Sequence, residues 1–195
     1  TMQKIFIIFL SYLIMSCNLN TIPHDETLKA FFQEQWEQNL ENYPEYATYL
    51  GDNRYNDRFT DMSLDAITKR QNQTQASLDE LSKIERNKLA TEYKLYYDLY
   101  LDKLNQSIES QQYKGYLRPI NQMGGIQISA ANLVDNTPFD SEFDYQNYLT
   151  RLKALPAKID QIIVLMKMGI QENIMPPQIV LSSVTEQINK QYTYS

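Results

Sequence analysis

Residues 144–171 read DYQNYLTRLKALPAKIDQIIVLMKMGIQ, and their spacing decides the fold class. Tyr145, Tyr148, Leu149, Leu152, Leu155, Ile159, Ile162, Ile163, Met166 and Ile170 recur at helical intervals and form one continuous apolar face. Pro156 interrupts the run. With no amide hydrogen to donate, it should kink the helix or begin a second one. Gly169 lies near the end of the stripe, and Pro176-Pro177 forbids helix across that junction.

The same period recurs on both sides. Leu89, Tyr93, Tyr96, Tyr97, Tyr100, Leu104 and Ile108 make a second stripe, and Leu28, Phe31, Phe32, Trp36 and Leu40 a third. Asp25 and Glu26 precede the third and favour the positive end of its dipole. Pro44 opens a short helical turn that closes near Gly51, a natural residue just past a helix end. Ser63 is a natural N-cap for a helix carrying Leu64, Ile67, Leu78 and Leu81. The polar middle of that helix, Arg70 to Gln75, predicts a peripheral position. A last helix should begin near Pro177 and show Leu181, Val184 and Ile188 on one side.

Composition agrees. Five Gly and seven Pro in 195 residues come to about 6%, roughly half the usual share. Glycine-rich turn architectures are disfavoured, and the fold class is all-α: an irregular multi-helix array. The exception is residues 111–140, read as one long ordered loop holding Gly115, Pro119, Gly124, Gly125 and Pro138. A loop of that length in a compact domain is functional or an ordered crossing. Within it, Gln127 to Ala131 fits either a helical turn or a short strand.

The N-terminus reads as a targeting segment. Lys4 supplies a positive start, Ile5 to Met15 is apolar except for Ser11, and the run ends in Ile14-Met15-Ser16-Cys17. It is too short to span a bilayer, which takes about 20 residues. Cys17, the only cysteine, stands where a bacterial lipobox places its acylated residue. The competing reading is an ordinary signal peptide with an incidental Cys. The layout expected is therefore a signal peptide over 1–16, a lipid-anchored tether over 17–25, and a helical region over 26–195. Lipid chains on Cys17 would hold the protein to a membrane surface in the bacterial cell envelope, on its periplasmic or outer face.

Charge and residue counts exclude several functions. With 24 acidic against 18 basic side chains, the surface repels nucleic acid and anionic headgroups. One Cys rules out a disulfide framework, and one His rules out any site built on two imidazoles. His24 itself falls in the expected tether, where nothing rigid would position it as a base. No metal or catalytic residue is expected within these 195 residues. Glu37/Glu41 and Asp57/Asp61 are spaced i, i+4, but exposed acids at that spacing are ordinary solvated surface. Trp36 and the tyrosine stripe read as core, with hydroxyls at its boundary. Gly124-Gly125 lacks the helix and third glycine of a dinucleotide fingerprint and reads as close backbone packing. Arg118, Asn121 and Gln122 beside it are candidates for lining a groove.

Several blocks resemble the DUF885 family. Pro44, Ala47, Thr48, Gly51, Asp52, Arg54 and Tyr55 match a P-x-x-A-T-x-x-G-D-x-R-Y run. The resemblance continues at 119–125, at Pro138-Phe139, at 144–152, at 156–161, at Gly169-Ile170 and at Pro176-Pro177, covering about residues 28–190. Proteins of this family are roughly three times this length, and many are lipoproteins. Their fold is largely helical and resembles zinc metallopeptidases, with zinc ligands and a catalytic Glu on a later H-E-x-x-x-H-type helix.

The resemblance implies that this chain is the N-terminal third, and that zinc and the catalytic groups belong to a C-terminal part it lacks. A peptide would be the substrate of the full-length protein. Arg118, Asn121, Gln122, Gly124, Gly125 and Arg151 are the candidate cleft-lining residues. Thr1 before Met2, and an end at Ser195 inside an amphipathic pattern, give the same expectation of a fragment. A fragment should also bare a sizeable apolar patch. The alternative is a complete, non-enzymatic helical lipoprotein that binds a partner or glycan. A carboxylate-based glycosidase is a third and weaker reading.

Overall fold

The computed structural model of the chain describes residues 23–192. The expected signal peptide, Cys17 and most of the expected tether lie outside the described residues. Among those residues the regular structure is helical, as the periodicity predicts, and one isolated bridge, Asn121 with Gly124, is the sole β-type pairing.

Helix α1 (His24–Asn42) starts directly after Pro23, with Asp25 and Glu26 in its first turn. His24 is thus the first residue of a helix rather than part of a tether. Asp25 also accepts a hydrogen bond from the amide of Ala90 at 3.0 Å, which ties this end to the start of a later helix. Helix α2 (Pro44–Tyr49) has its proline in the first turn and closes on Gly51, whose φ of +83° only glycine adopts without cost. Helix α3 (Leu64–Leu81) is capped by Ser63, whose hydroxyl accepts from the amide of Ala66 at 3.2 Å.

Helix α4 (Thr91–Ser110) packs on α3 and α1 around the largest core, formed by Leu28, Phe31, Leu81, Ile84, Leu89, Tyr97 and Leu104. Two expectations are corrected here. Trp36 is 45% exposed, because the α1 seam runs through Leu28, Phe31 and Leu40 and leaves Trp36 at its edge. The polar middle of α3 is a hydrogen-bonded seam, not a peripheral face. Ser77 donates to Gln35 at 2.6 Å, and Asn42 donates to Gln73 at 2.9 Å.

The glycine-rich segment is an ordered crossing built of 3-10 turns at 111–113 and 115–117 and two short helices, α5 (Ile126–Ser129) and α6 (Leu133–Asn136). Gln127 is therefore helical. Helix α7 (Glu142–Gln171) follows, opened by a reciprocal capping box between Ser141 and Asp144, and it runs unbroken through Pro156. Pro156 is exposed, so the bond its ring cannot make falls on the solvent side.

The apolar arc of α7 is wider than one seam. Ile162, Leu165 and Gly169 are buried against the 116–120 segment and the C-terminal helices. Tyr145, Leu149, Ile159, Ile163, Met166 and Ile170, from the predicted buried face, are exposed. The expected last helix is two, α8 (Gln178–Leu181) and α9 (Val184–Tyr192). Leu181 and Val184 join the cluster around Ile120 and Ile162, while Ile188 is exposed.

Candidate functional site

The segment 44–62 folds back on itself before it meets α7. The amide of Gly51 closes on the carbonyl of Thr48 at 2.9 Å, and that of Asp52 on Ala47 at 2.9 Å. Asp52 then caps the 3-10 turn Asn53–Tyr55 by accepting from the amide of Arg54. Inside this fold Thr48 and Asn56 are buried. Thr48 Oγ1 lies 2.6 Å from Asn56 Oδ1 and 3.0 Å from the carbonyl of Pro44, the two acceptors for its single proton.

Helix α7 supplies a line of polar groups to this fold. Arg151 is 0% exposed, and its Nη2 donates to Thr48 Oγ1 at 2.9 Å and to the carbonyl of Tyr55 at 2.7 Å. Two turns on, Lys158 pairs with Glu45 at 2.5 Å and donates to the carbonyl of Thr60. Gln161 accepts from the amide of Met62 and donates to Asp61, both at 2.9 Å. Phe59 lies against both cations, 5.9 Å from the Arg151 guanidinium and 5.3 Å from the Lys158 ammonium.

The electrostatics of this patch are uneven. Burial pushes the Glu45 carboxyl up, but the charge and hydrogen bond of Lys158, with two bonds from Thr60, outweigh it. They hold Glu45 below the ordinary carboxylate range. Burial draws the Arg151 guanidinium down from its ordinary value, against the fields of Glu45 and Asp57. Neither acid makes an ion pair with it: Glu45 is held by Lys158 and Asp57 by Arg58. Arg151 Nε and Nη1 are buried without a hydrogen-bond partner.

Next to Arg151 lies a cavity of about 300 Å³, walled by Thr48, Phe59, Gly124-Gly125, Ile128, Asn132 and Asn136 among others. Gly125 sits at a φ of +135°, and a Cβ there would stand 2.4 Å from the Gln127 side chain. Of the six candidate residues, Gly124, Gly125 and Arg151 meet at this cavity. The other three do not. Arg118 lines an apolar pocket beside Leu117, Ile170 and Pro176. Asn121 caps its own turn through the amides of Met123 and Gly124, and the Gln122 carbonyl accepts from Gln187.

A second cleft, of about 460 Å³, lies between α1 and α4 and is lined by Phe32, Trp36, Tyr96, Leu99, Tyr100 and Lys103. Of the i, i+4 acids, Glu37 pairs with Arg54, Asp57 with Arg58, and Asp61 accepts from the Ser63 amide and Gln161. Among the described residues no three His, Cys, Asp or Glu side chains converge to hold a metal ion. Among the same residues no helix is long and apolar enough to cross a membrane.

Residues 44–195 match the bacterial proteins of unknown function grouped as DUF885. The chain belongs to the DUF885 family. The match covers more than three quarters of its length and starts at Pro44, the first residue of the fold around Thr48. No curated protein matches the chain. In this DUF885 chain the cavity's other lining residues, Glu45, Thr48 and Phe59 with Asn132 and Asn136 among them, were not candidates from the sequence. Arg151 and Lys158, seven residues apart, stand in line with Ile162, Leu165 and Gly169 on a helical projection, a side that only the packing identifies as buried. Once that side is known to be buried, its two cations call for partners on whatever the helix packs against.

Proposed function

We propose that this chain is the helical scaffold region of a secreted, lipid-anchored protein resembling zinc metallopeptidases. It supplies packing surface and part of one wall of a peptide cleft. The observation that carries this reading is the second apolar face of α7, bare from Tyr145 to Ile170 over about 38 Å of helix at ~1.5 Å per residue. An apolar stripe of that length is a surface made to meet more protein. The order of the DUF885 blocks along the chain supports the same reading. Zinc, which the resemblance places in the C-terminal part, would supply Lewis-acid chemistry there, and none of the residues of this chain is assigned to hold it.

The test compares the product of the whole gene with residues 17–195, both on a quenched-fluorescence peptide library with and without chelator. Cleavage by the whole product, lost with chelator and absent from 17–195, is expected. Cleavage by 17–195 alone, or none by the whole product, would show the reading to be wrong. A Cys17→Ala variant should leave the membrane fraction for the soluble one; unchanged membrane association would remove the lipid anchor from the proposal.

The aromatic cleft favours a second reading, a non-enzymatic lipoprotein that binds a partner or glycan. Trp36, Tyr96 and Leu99 are exposed there, and Lys103 lines the same cleft. Saturable change in Trp36 fluorescence on adding an oligosaccharide or peptide, with no hydrolysis by the whole gene product, would favour it.

A further inference from the structure

Arg151 is a charge with more donors than the described residues satisfy. A guanidinium carries five N–H donors and stays protonated. The two on Nη2 go to Thr48 Oγ1 and the Tyr55 carbonyl, and the three on Nε and Nη1 have no partner. A buried cation in that condition is destabilising, and an apolar side chain of similar size would serve packing better. The nearby carboxylates do not discharge it, since Glu45 is committed to Lys158 and Thr60, and Asp57 to Arg58. Among the described residues no further anion meets these donors, and a bound anion would.

The cavity beside Arg151 has the size and walls to admit one. Its volume of about 300 Å³ stands at the lower end of ligand sites, which run from ~300 to ~1,000 Å³. Phe59, Ile128 and Leu133 make one part of it apolar, so an ion pair formed there is poorly screened. Asn132 and Asn136, one helical turn apart, line another part, with the Asn136 amide donating to the Asn132 carbonyl at 3.2 Å. At Gly124 a Cβ would meet nothing within 4 Å, so the backbone there leaves room for a ligand. The local charge fits a monoanion. Arg151 and Lys158 against Glu45 leave one positive charge in excess, whereas a phosphate dianion would bring surplus negative charge beside Glu45.

We infer that this cavity binds the free carboxylate of an amino acid or short peptide, with Arg151 Nη1 and Nε as the donors and the remainder of the ligand against Phe59, Ile128 and the two asparagines. The guanidinium is covered, so the carboxylate reaches it on a small displacement of the lining and sheds its water in doing so. The site stands on the cavity alone and does not depend on whether the larger protein is a hydrolase.

The test is calorimetric titration of the chain with N-acetyl-leucine and N-acetyl-phenylalanine, with their primary amides, and with inorganic phosphate. At least one acid should bind saturably and its amide at least about tenfold more weakly, since only the acid forms a charge-assisted pair. Ser129 is an exposed residue of the cavity's lining and makes no bond to Arg151; Ser129→Trp plugs the cavity and should abolish binding while the melting curve stays unchanged. Arg151→Gln should weaken binding by about tenfold or more; should it not fold, the amide comparison and Ser129→Trp still decide. Equal binding of acid and amide, binding unaffected by Ser129→Trp, preference for phosphate, or no binding of either acid up to its solubility limit would each overturn the inference.

Discussion

Arg151 Nη2 donates to Thr48 Oγ1 at 2.9 Å, joining residues 103 positions apart in a buried contact. Thr48 is already in contact with Asn56 and with the Pro44 carbonyl, so one hydroxyl links α2, the turn after it and α7. Replacing Thr48 by Val keeps the shape and removes the bonds. Asn56 and the Arg151 Nη2 then each lose a partner inside the protein. The expected loss is about 1–3 kcal/mol of unfolding free energy in urea titration. A change below about 0.5 kcal/mol, the scatter of ordinary surface substitutions, would mean that the contact is not part of the fold's stability.

Glu45 should give stability an acid limb. Its folded pKa lies below its ordinary 4.5, so the ionised form is favoured by folding. The contribution is complete above pH 4.5 and is lost as pH falls through the lower folded value. In Glu45→Gln that part of the pH dependence should flatten, measured as the difference in urea midpoint between variant and parent at pH 7, 4.5 and 3.5. Parallel curves would place the acid sensitivity elsewhere.

Gly169 marks a close approach. A Cβ there would lie 2.8 Å from the carbonyl oxygens of both Leu117 and Ile174. Backbone cannot yield as a flexible side chain does, so Gly169→Ala should cost about 1–3 kcal/mol as an overpacked site. Gly115→Ala, where the Cβ meets nothing within 4 Å, is the control and should be near neutral. Thermal melts of the pair check this, and equal melting temperatures would contradict the geometry.

The bare face of α7 predicts insensitivity to charge. Leu149→Glu, Ile163→Glu and Ile170→Glu should each change stability by less than about 0.5 kcal/mol, because all three side chains are exposed. Together they should reduce any self-association seen by sedimentation. A large loss of stability from one of them would show that its face is packed.

Helix positions, the Ser63 cap and the three main stripes were legible in the sequence, because helical period and capping are local properties of the chain. The choice of buried edge on α7 was not. Its apolar arc is wide enough to serve two seams, and only the position of the 116–120 segment and α9 decides that Ile162, Leu165 and Gly169 are covered while Ile163 and Ile170 are not. Trp36 failed for the same reason: its place on the stripe of α1 is right, but the seam of α1 with α3 and α4 passes to one side of it. The candidate site was half legible. Gly124, Gly125 and Arg151 were named from sequence, yet nothing in the spacing joined Arg151 to Thr48 or kept Arg118 away.

By itself, then, the sequence determined an all-α chain whose helices, caps and DUF885 blocks follow one another in order, since each depends on residues within a few turns. Tertiary structure alone decided that Arg151 would be buried with three unused donors beside a cavity. That outcome depends on which surfaces meet across a hundred residues, and on burial, which turns an ordinary basic residue into a charge in need of a partner.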